Sequence, residues 1–182
     1  MKTAIIYTSQ TGFTKRYATW LSERVQGELF DLKEVQKKDD SFWAQYDAIV
    51  YAGWCMAGKI VKTNWFLERA VNWKDKRLAI IAVGAAPGED VETQKVMDAL
   101  LTDEQREYIK AFYCQGGLSY EKMNGPTKLV MKMFTNSIKN RKNATEREKA
   151  MGEMLSKSCD FTDIKFIDPI AGYLEESKVT SA

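Results

Sequence analysis

The sequence predicts an α/β fold in which a doubly wound sheet of five parallel strands carries helices on both faces. Short apolar segments alternate along the chain with longer segments whose apolar residues recur at helical spacing. The apolar segments are continuous rather than alternating with polar residues, which is typical of parallel strands buried on both faces. Glycine-containing segments directly follow three of these strands, where the chain must turn towards a helix.

The elements follow one another at regular intervals. Strands are predicted at Thr3–Tyr7 and at residues 28–32, 47–53, 77–84 and 109–117. Helices are predicted at residues 14–26, 62–73 and 90–107, the last of them in two pieces. A polar stretch at residues 33–41 and a loop at residues 54–60 complete this part of the chain. A final helix is predicted at residues 168–178.

About 50 residues separate the fifth strand from the last helix, and they have a structure of their own. Asn124-Gly125-Pro126 is typical of a helix start, because proline suits the first helical turn. A helix is therefore predicted near residues 126–140, and a second one at residues 145–156. We predict a single domain spanning residues 1–182, with a helical insertion at about residues 118–165. The apolar residues on one face of the first insertion helix are Leu129, Val130, Met133, Phe134 and Ile138.

The net charge of +2 conceals an uneven distribution along the chain. Residues 122–149 contain eight Lys or Arg and two Glu, so this segment carries +6 and the remainder −4. No apolar run is long enough to cross a bilayer, and the N-terminus does not resemble a signal peptide. We therefore expect a cytoplasmic protein.

The residues available for chemistry are limited, because the chain contains no histidine. This removes the commonest general base and the commonest transition-metal ligand. The three cysteines, Cys55, Cys114 and Cys159, form no CxxC pair and indicate no disulfide framework. A bound cofactor therefore explains any chemistry more easily than side chains do, and we predict no metal site.

The segment after the first strand is the strongest signal for a ligand. A hydroxyl-rich turn that leads from a strand into a helix is a site for an anion such as phosphate. Helix capping is the competing interpretation, since Ser and Thr are common N-caps. One hydroxyl would be enough for a cap, and this segment holds several. The predicted phosphate-binding residues are Ser9, Gln10, Thr11, Gly12, Phe13 and Thr14.

Two further segments are expected to meet this one. In open α/β sheets, ligands bind outside the carboxyl ends of the strands at a topological switch point. Residues 53–58 follow the third strand and residues 85–88 follow the fourth, and both contain glycine. The sequence therefore predicts one ligand crevice formed by three loops.

Ser9-Gln10-Thr11-Gly12-Phe13-Thr14 fits the S/T-x-T-G-x-T phosphate loop of flavodoxins at every specified position. The chain resembles that family over residues 1 to about 117 and in its last helix. The resemblance implies a flavodoxin-like sheet with strand order 2-1-3-4-5 and FMN as the cofactor. The chain also resembles flavodoxin-domain proteins of the menaquinone-linked protoporphyrinogen oxidase type. These carry a long insertion after the fifth strand, including a basic and apolar helix similar to residues 128–133.

The resemblance also implies which residues hold the flavin. Residues 9–14 would bind the 5′-phosphate, and Tyr120 would face the ring or the ribityl chain. Trp54 is either a stacking surface for the ring or a core aromatic, and Gly58 either permits a peptide flip or only serves a turn. Cys55 is either a small apolar filler or a redox group. The two remaining loops implied are Trp54, Cys55, Met56, Ala57 and Gly58, and Ala85, Ala86, Pro87 and Gly88.

The predicted function is electron transfer or oxidoreduction through the isoalloxazine ring of FMN. Its expected partner is a redox protein or a quinone. Two departures from short electron-carrier flavodoxins weaken a simple carrier role: the pI is near 8.3, and the loop at residues 85–88 lacks a stacking tyrosine. The alternatives are a quinone-linked oxidase at the membrane surface and a non-redox interaction module.

The basic helix at residues 126–140 has three interpretations. It packs on its own domain with solvated lysines, or it contacts an anionic membrane or a quinone pool at the inner membrane face. In the third interpretation it binds a partner or a second copy. Nucleic-acid binding is not expected, because the basic segment lacks interleaved aromatic residues.

Overall fold

Five strands of the central sheet run parallel to one another. The computed structural model of the protein describes residues 1–141 and 145–176. The main strands are arranged in the order β2-β1-β3-β5-β6, and the two-residue β4 pairs antiparallel with the end of β3. This confirms the predicted flavodoxin-like sheet and its order, with β4 as an addition. The strands are β1 (Thr3–Tyr7), β2 (Glu28–Asp31), β3 (Ala48–Met56), β4 (Lys59–Ile60), β5 (Arg77–Gly84), β6 (Ile109–Gln115), β7 (Gly117–Leu118) and β8 (Cys159–Asp160).

Helices cover both faces of the sheet, as a doubly wound fold requires. The predicted helix at residues 90–107 is indeed two helices, and the polar stretch before β3 contains two short ones, α2 and α3. The predicted last helix ends earlier, and residues 177 and 178 lie outside the described part of the chain. The helices are α1 (Phe13–Val25), α2 (Leu32–Val35), α3 (Asp40–Ala44), α4 (Thr63–Ala70), α5 (Val91–Ala99), α6 (Asp103–Arg106), α7 (Gly125–Lys139), α8 (Glu146–Met154) and α9 (Asp168–Glu175), with a 3-10 turn at Ile164–Ile167.

The core has two halves, because successive strand residues point to opposite faces. On one face, alternate residues of the central strands pack against Trp43 of α3 and Phe66 of α4. On the other face, the intervening residues pack against Tyr17 of α1 and Ile170 of α9. All four of these side chains are fully buried. Burial on both faces explains why the strands are continuously apolar in the sequence.

The prediction of a loop at residues 54–60 is wrong. The strand β3 continues to Met56 and forms a hairpin with β4, in which Met56 pairs with Lys59. A Cβ on Gly53 would lie 2.5 Å from Ile60 Cγ2 and 3.1 Å from the Val61 carbonyl oxygen. Only glycine lets the returning chain approach β3 so closely. The spacing of Gly53 and Ile60 in the sequence is typical of neither a helix nor a strand, so the sequence did not predict their contact.

The insertion leaves and rejoins the sheet through one strand pair. Gly117 and Leu118 of β7 pair antiparallel with Asp160 and Cys159 of β8. Between these strands, α7 and α8 pack against each other. The predicted helix start is confirmed, because the Asn124 side chain accepts a hydrogen bond from the Thr127 N–H at 2.9 Å. No helix in the described part of the chain is long and apolar enough to cross a membrane.

Candidate functional site

The sheet register brings the three predicted loops to one edge. Tyr7 at the end of β1 pairs with Ala52, and Trp54 pairs with Val83. The backbone N–H of Thr8 donates to the Ala52 carbonyl at 2.9 Å. The loops after β1, β3 and β5 therefore begin side by side at the carboxyl edge, where α/β folds bind ligands.

The N-terminus of α1 is left free for an anion. Gly12 occupies the cap position with a φ of 103°, and no side chain caps the helix. The first turn contains no acidic residue, so its unpaired N–H groups and positive dipole end are not neutralised from within the helix. The competing interpretation, in which the hydroxyls serve only to cap α1, is wrong.

The loop before α1 has a defined shape. The Ser9 hydroxyl accepts a hydrogen bond from the Gly12 N–H at 3.2 Å, which folds the loop back on itself. A Cβ placed on Gly12 would meet no atom within 4 Å, so open space lies beside the backbone here. Thr14 is buried in the first turn of α1. This arrangement provides hydroxyl and N–H donors around an open cradle, which suits a phosphate.

The hairpin between β3 and β4 forms the second part of the edge. Its two turn residues, Ala57 and Gly58, have φ values of 49° and 76°. Positive φ at both positions is what a type I′ hairpin turn requires. A Cβ on Gly58 would meet nothing within 4 Å, so the turn borders open space. Met56, next to the turn, is 39% exposed.

Trp54 differs from the other four tryptophans of the chain. Trp20, Trp43, Trp65 and Trp73 each contact another aromatic ring. Trp54 has no aromatic contact within the described residues, and it is only half-buried at the start of the hairpin. It is therefore not part of the aromatic core, and its ring remains available for a planar ligand.

Cys55 points to the opposite side and packs against the core that contains Tyr51 and Phe66. Burial raises the pKa of the Cys55 thiol to about 11. At neutral pH the thiol is therefore protonated, which is unsuitable for a nucleophile or a thiolate redox group. These observations favour the interpretation of Cys55 as an apolar filler.

Side chains from β6 fix the third loop, at residues 85–88. The Tyr113 hydroxyl donates to the Ala86 carbonyl at 2.6 Å, and Gln115 Nε2 donates to the Ala85 carbonyl at 3.3 Å. A Cβ on Gly84 would lie 2.5 Å from the Tyr113 hydroxyl, so glycine is needed there for Tyr113 to reach the loop. Sequence reasoning missed both supporting residues, because their role depends on the pairing of β5 with β6.

Tyr120 is placed differently from the other predicted residues. Its hydroxyl donates to the Leu155 carbonyl at 2.6 Å, and its N–H donates to Ser158 Oγ at 3.0 Å. The side chain lines a groove inside the insertion, beside Lys128 and Lys132. None of these hydrogen bonds reaches the three loops, so a role for Tyr120 at the ring or ribityl chain stays a prediction.

The insertion contacts the loop at residues 9–14 directly, which the sequence did not indicate. Gln10 Nε2 donates to Thr127 Oγ1 at 3.3 Å, at the start of α7. Arg16 of α1 pairs with Asp160 of β8 at 2.6 Å. More than 100 residues separate the partners in each pair, and no sequence pattern connects them.

A cavity of about 780 Å³ lies at the opposite, amino edge of the sheet. Its lining includes Thr3, Asp47, Lys76 and Arg77. The residues at this edge carry none of the loop motifs described above, so we place the candidate site at the carboxyl edge.

The family model described as "Flavodoxin domain" matches residues 4–146 of this chain. The match covers most of the chain, including the loop at residues 9–14 and, apart from Thr3, all five parallel strands. The protein therefore belongs to the flavodoxin-domain family. No curated protein matches the chain significantly in sequence.

Known structures of similar fold are distant in sequence. A flavodoxin, WrbA-like protein from Agrobacterium tumefaciens is 14% identical with a TM-score of 0.48, over 85% of this chain and 95% of that one. Rubredoxin oxygen:oxidoreductase from Desulfovibrio gigas is 12% identical with a TM-score of 0.44, over 85% of this chain and 35% of that one. A flavodoxin mutant of Fusobacterium nucleatum, bound to flavin mononucleotide, is 14% identical with a TM-score of 0.40, over 66% of this chain and 71% of that one.

Proposed function

We propose that this protein binds FMN at the carboxyl edge of its sheet and acts in electron transfer. The observation that carries the proposal is the uncapped N-terminus of α1, preceded by a hydroxyl-rich loop that leaves a cradle open at Gly12. A phosphate monoester fits this donor set, because it needs several N–H and O–H donors and a positive dipole end. Membership of the flavodoxin-domain family supports the same ligand.

Each part of the edge has a separate role in this proposal. The loop at residues 9–14 holds the 5′-phosphate, and Trp54 with the hairpin turn flanks the isoalloxazine ring. The loop at residues 85–88, fixed by Tyr113 and Gln115, presents backbone groups to the flavin edge. FMN, when bound, supplies the redox chemistry.

The protein itself then supplies position and environment rather than acid–base groups. The chain has no histidine, and the Cys55 thiol beside the hairpin is protonated at neutral pH. The hairpin turn brings its backbone N–H and carbonyl groups to the same edge as Trp54. These groups can donate to or accept from a flavin ring without any side chain changing its charge.

Titration of the protein with FMN and with riboflavin tests the proposal. We expect binding at micromolar FMN, with quenching of flavin and tryptophan fluorescence. Riboflavin, which lacks the phosphate, should bind at least tenfold more weakly. Ser9→Ala with Thr11→Ala should remove most of that difference, whereas Thr19→Ala, further along α1, is the matched control and should not. Absence of binding at micromolar FMN would reject the proposal and favour a non-redox interaction module.

A quinone-linked oxidase of the protoporphyrinogen oxidase type is the second candidate. One observation favours it over a freely diffusing carrier. The helix α7 exposes apolar side chains and contacts the loop at residues 9–14 through Gln10 and Thr127. An apolar, exposed element next to the flavin edge suits an electron acceptor that resides in a membrane.

Removal of residues 122–149 separates the two candidates. For the oxidase, quinone-linked turnover should disappear while FMN binding is retained. For a carrier, electron exchange with a redox protein should persist after the removal. Unchanged quinone-linked turnover in the shortened protein would reject the oxidase.

A further inference from the structure

The helix α7 exposes four large apolar side chains, whereas the polar Thr135 is its one buried residue among the described side chains. Thr135 is 3% exposed, and its hydroxyl donates to the carbonyls of Met131 and Lys132 at 3.0 and 3.1 Å. The side chain on the buried side is therefore satisfied within α7 itself. The exposed residues are Leu129 (60%), Val130 (47%), Met133 (64%) and Phe134 (51%). These four side chains are not covered by the described part of the domain, whereas Ile138, the fifth apolar residue of the predicted face, is half-buried.

These four residues form one continuous patch, the α7 face. At about 100° per residue they span an arc of roughly 140°. In the described part of the chain, the other exposed large apolar side chains lie outside α7, at Met1, Met56, Val71, Val91, Phe161 and Ile164. Isolated apolar residues on a surface are normal, but a contiguous patch marks a surface that another molecule covers.

Positive charge lies beside the α7 face. Lys128 and Lys132 follow one edge of it, and together with Lys157 they line the groove of about 540 Å³ that also contains Tyr120. Among the described residues, no ion pair is found for these three lysines, although Lys128 interacts electrostatically with Glu121. Glu121 is the one acidic residue among those that line the groove, and the hydroxyls of Ser119 and Ser158 donate to it. The groove therefore carries a net positive charge next to an apolar ridge.

This combination determines the chemistry of the partner. A second copy of the chain would bring the same lysines against each other, which opposes association. Protein interfaces are depleted in lysine, although Phe and Met, both present on the α7 face, are common in them. The flanking lysines, and not the apolar residues, therefore favour a lipid partner over a protein. An amphipathic helix with a basic flank suits the surface of an anionic bilayer, where apolar side chains enter the head-group region and lysines meet phosphates.

We propose that the α7 face docks on an anionic phospholipid bilayer, with Lys128, Lys132 and Lys157 contacting lipid phosphates. The helix lies along the membrane surface and does not cross it. The contact needs no bound flavin, so it does not depend on the function proposed above.

Co-sedimentation of the full-length protein with vesicles tests the proposal. We expect at least tenfold stronger binding to vesicles of phosphatidylglycerol and phosphatidylcholine in equal parts than to phosphatidylcholine alone. Leu129→Ser with Met133→Ser should weaken binding at least tenfold. Lys128→Glu with Lys132→Glu should remove the preference for phosphatidylglycerol, because each surface lysine contributes about fivefold. Val71→Ser with Ile164→Ser, two exposed residues elsewhere, is the matched control and should bind like wild type.

A second measurement separates docking from loss of folding or from self-association. Phe134→Trp should give a blue-shifted emission that is quenched by brominated lipids only when vesicles contain phosphatidylglycerol. No vesicle binding by wild type, or equal binding by all variants, overturns the proposal. A dimer in sedimentation velocity that Leu129→Ser with Met133→Ser abolishes would replace the bilayer by a second copy. The FMN affinity of the α7 variants, measured on the same samples, is expected to equal that of wild type. Failure of the bilayer proposal and failure of the FMN proposal can therefore be told apart.

Discussion

Replacement of Gly117 by alanine tests how the insertion is held beside the candidate phosphate loop. A Cβ at this position would lie 2.1 Å from the Cys159 carbonyl oxygen, 2.9 Å from Phe13 Cζ and 3.0 Å from Asp160 Cα. Two of these three atoms belong to the backbone, so no side-chain rotation relieves the overlap. The strands β7 and β8 must therefore move apart.

The expected loss in the free energy of unfolding follows from these contacts. Overpacking in a rigid site costs about 1–3 kcal/mol, and the weakened hydrogen bond from the Phe161 N–H to the Gly116 carbonyl (2.8 Å) adds about 1 kcal/mol. We expect Gly117→Ala to lower the free energy of unfolding by about 3 kcal/mol. For a chain of this size, the melting temperature should fall by roughly 9 °C. Displacement of Phe13 should also weaken FMN binding.

Urea unfolding, followed by tryptophan fluorescence and circular dichroism, measures this effect. Gly172→Ala is the matched control, because a Cβ on Gly172 in α9 would meet nothing within 4 Å. Since alanine is the better helix former, this control should gain about 1 kcal/mol. Wild-type stability for Gly117→Ala, or an equal loss in both variants, would refute the reasoning.

Two further substitutions test the contacts around the site. The Tyr17 hydroxyl donates to the Gln115 carbonyl at 2.5 Å and accepts from the Asp163 N–H at 3.1 Å, so Tyr17→Phe should cost about 2 kcal/mol in urea unfolding. Burial raises the pKa of Tyr17 from 10.0 to about 12. The neutral Tyr17 hydroxyl therefore contributes its full stabilisation below about pH 10, and this stabilisation is lost as the pH rises to 12. Tyr17→Phe should reduce the loss of stability over that pH range. Gly58→Ala should lower the free energy of unfolding by about 1 kcal/mol and Ala57→Gly should raise it by a similar amount, because both positions have positive φ. A gain for Gly58→Ala or a loss for Ala57→Gly in urea unfolding would contradict the turn geometry.

The position of the candidate site was predictable because it depends on local patterns. Continuous apolar runs identify parallel strands, and parallel strands place the segments that follow them at one edge. The loop at residues 9–14 was recognisable because its glycine and hydroxyls are contiguous. The hairpin at Ala57 and Gly58 was not predictable, since it depends on the close approach of Ile60 to Gly53.

The supporting contacts were also beyond sequence reasoning. Tyr113 and Gln115 hold the third loop only because β6 pairs with β5, and Gln10 meets Thr127 only because the insertion folds back over α1. Hydrogen bonds between residues so far apart follow from the tertiary arrangement, and no local spacing encodes them.

The helix α7 separates what the sequence determines from what the tertiary structure decides. The sequence by itself determined that Leu129, Val130, Met133 and Phe134 share one face, because helical spacing is a local property. Only the tertiary structure decided that these four residues point outward, while Thr135 is buried and Ile138, the fifth apolar residue of the predicted face, is half-buried. The physical reason is that a helix can satisfy a threonine hydroxyl with its own carbonyls, so polarity alone does not fix which side of α7 turns towards the protein.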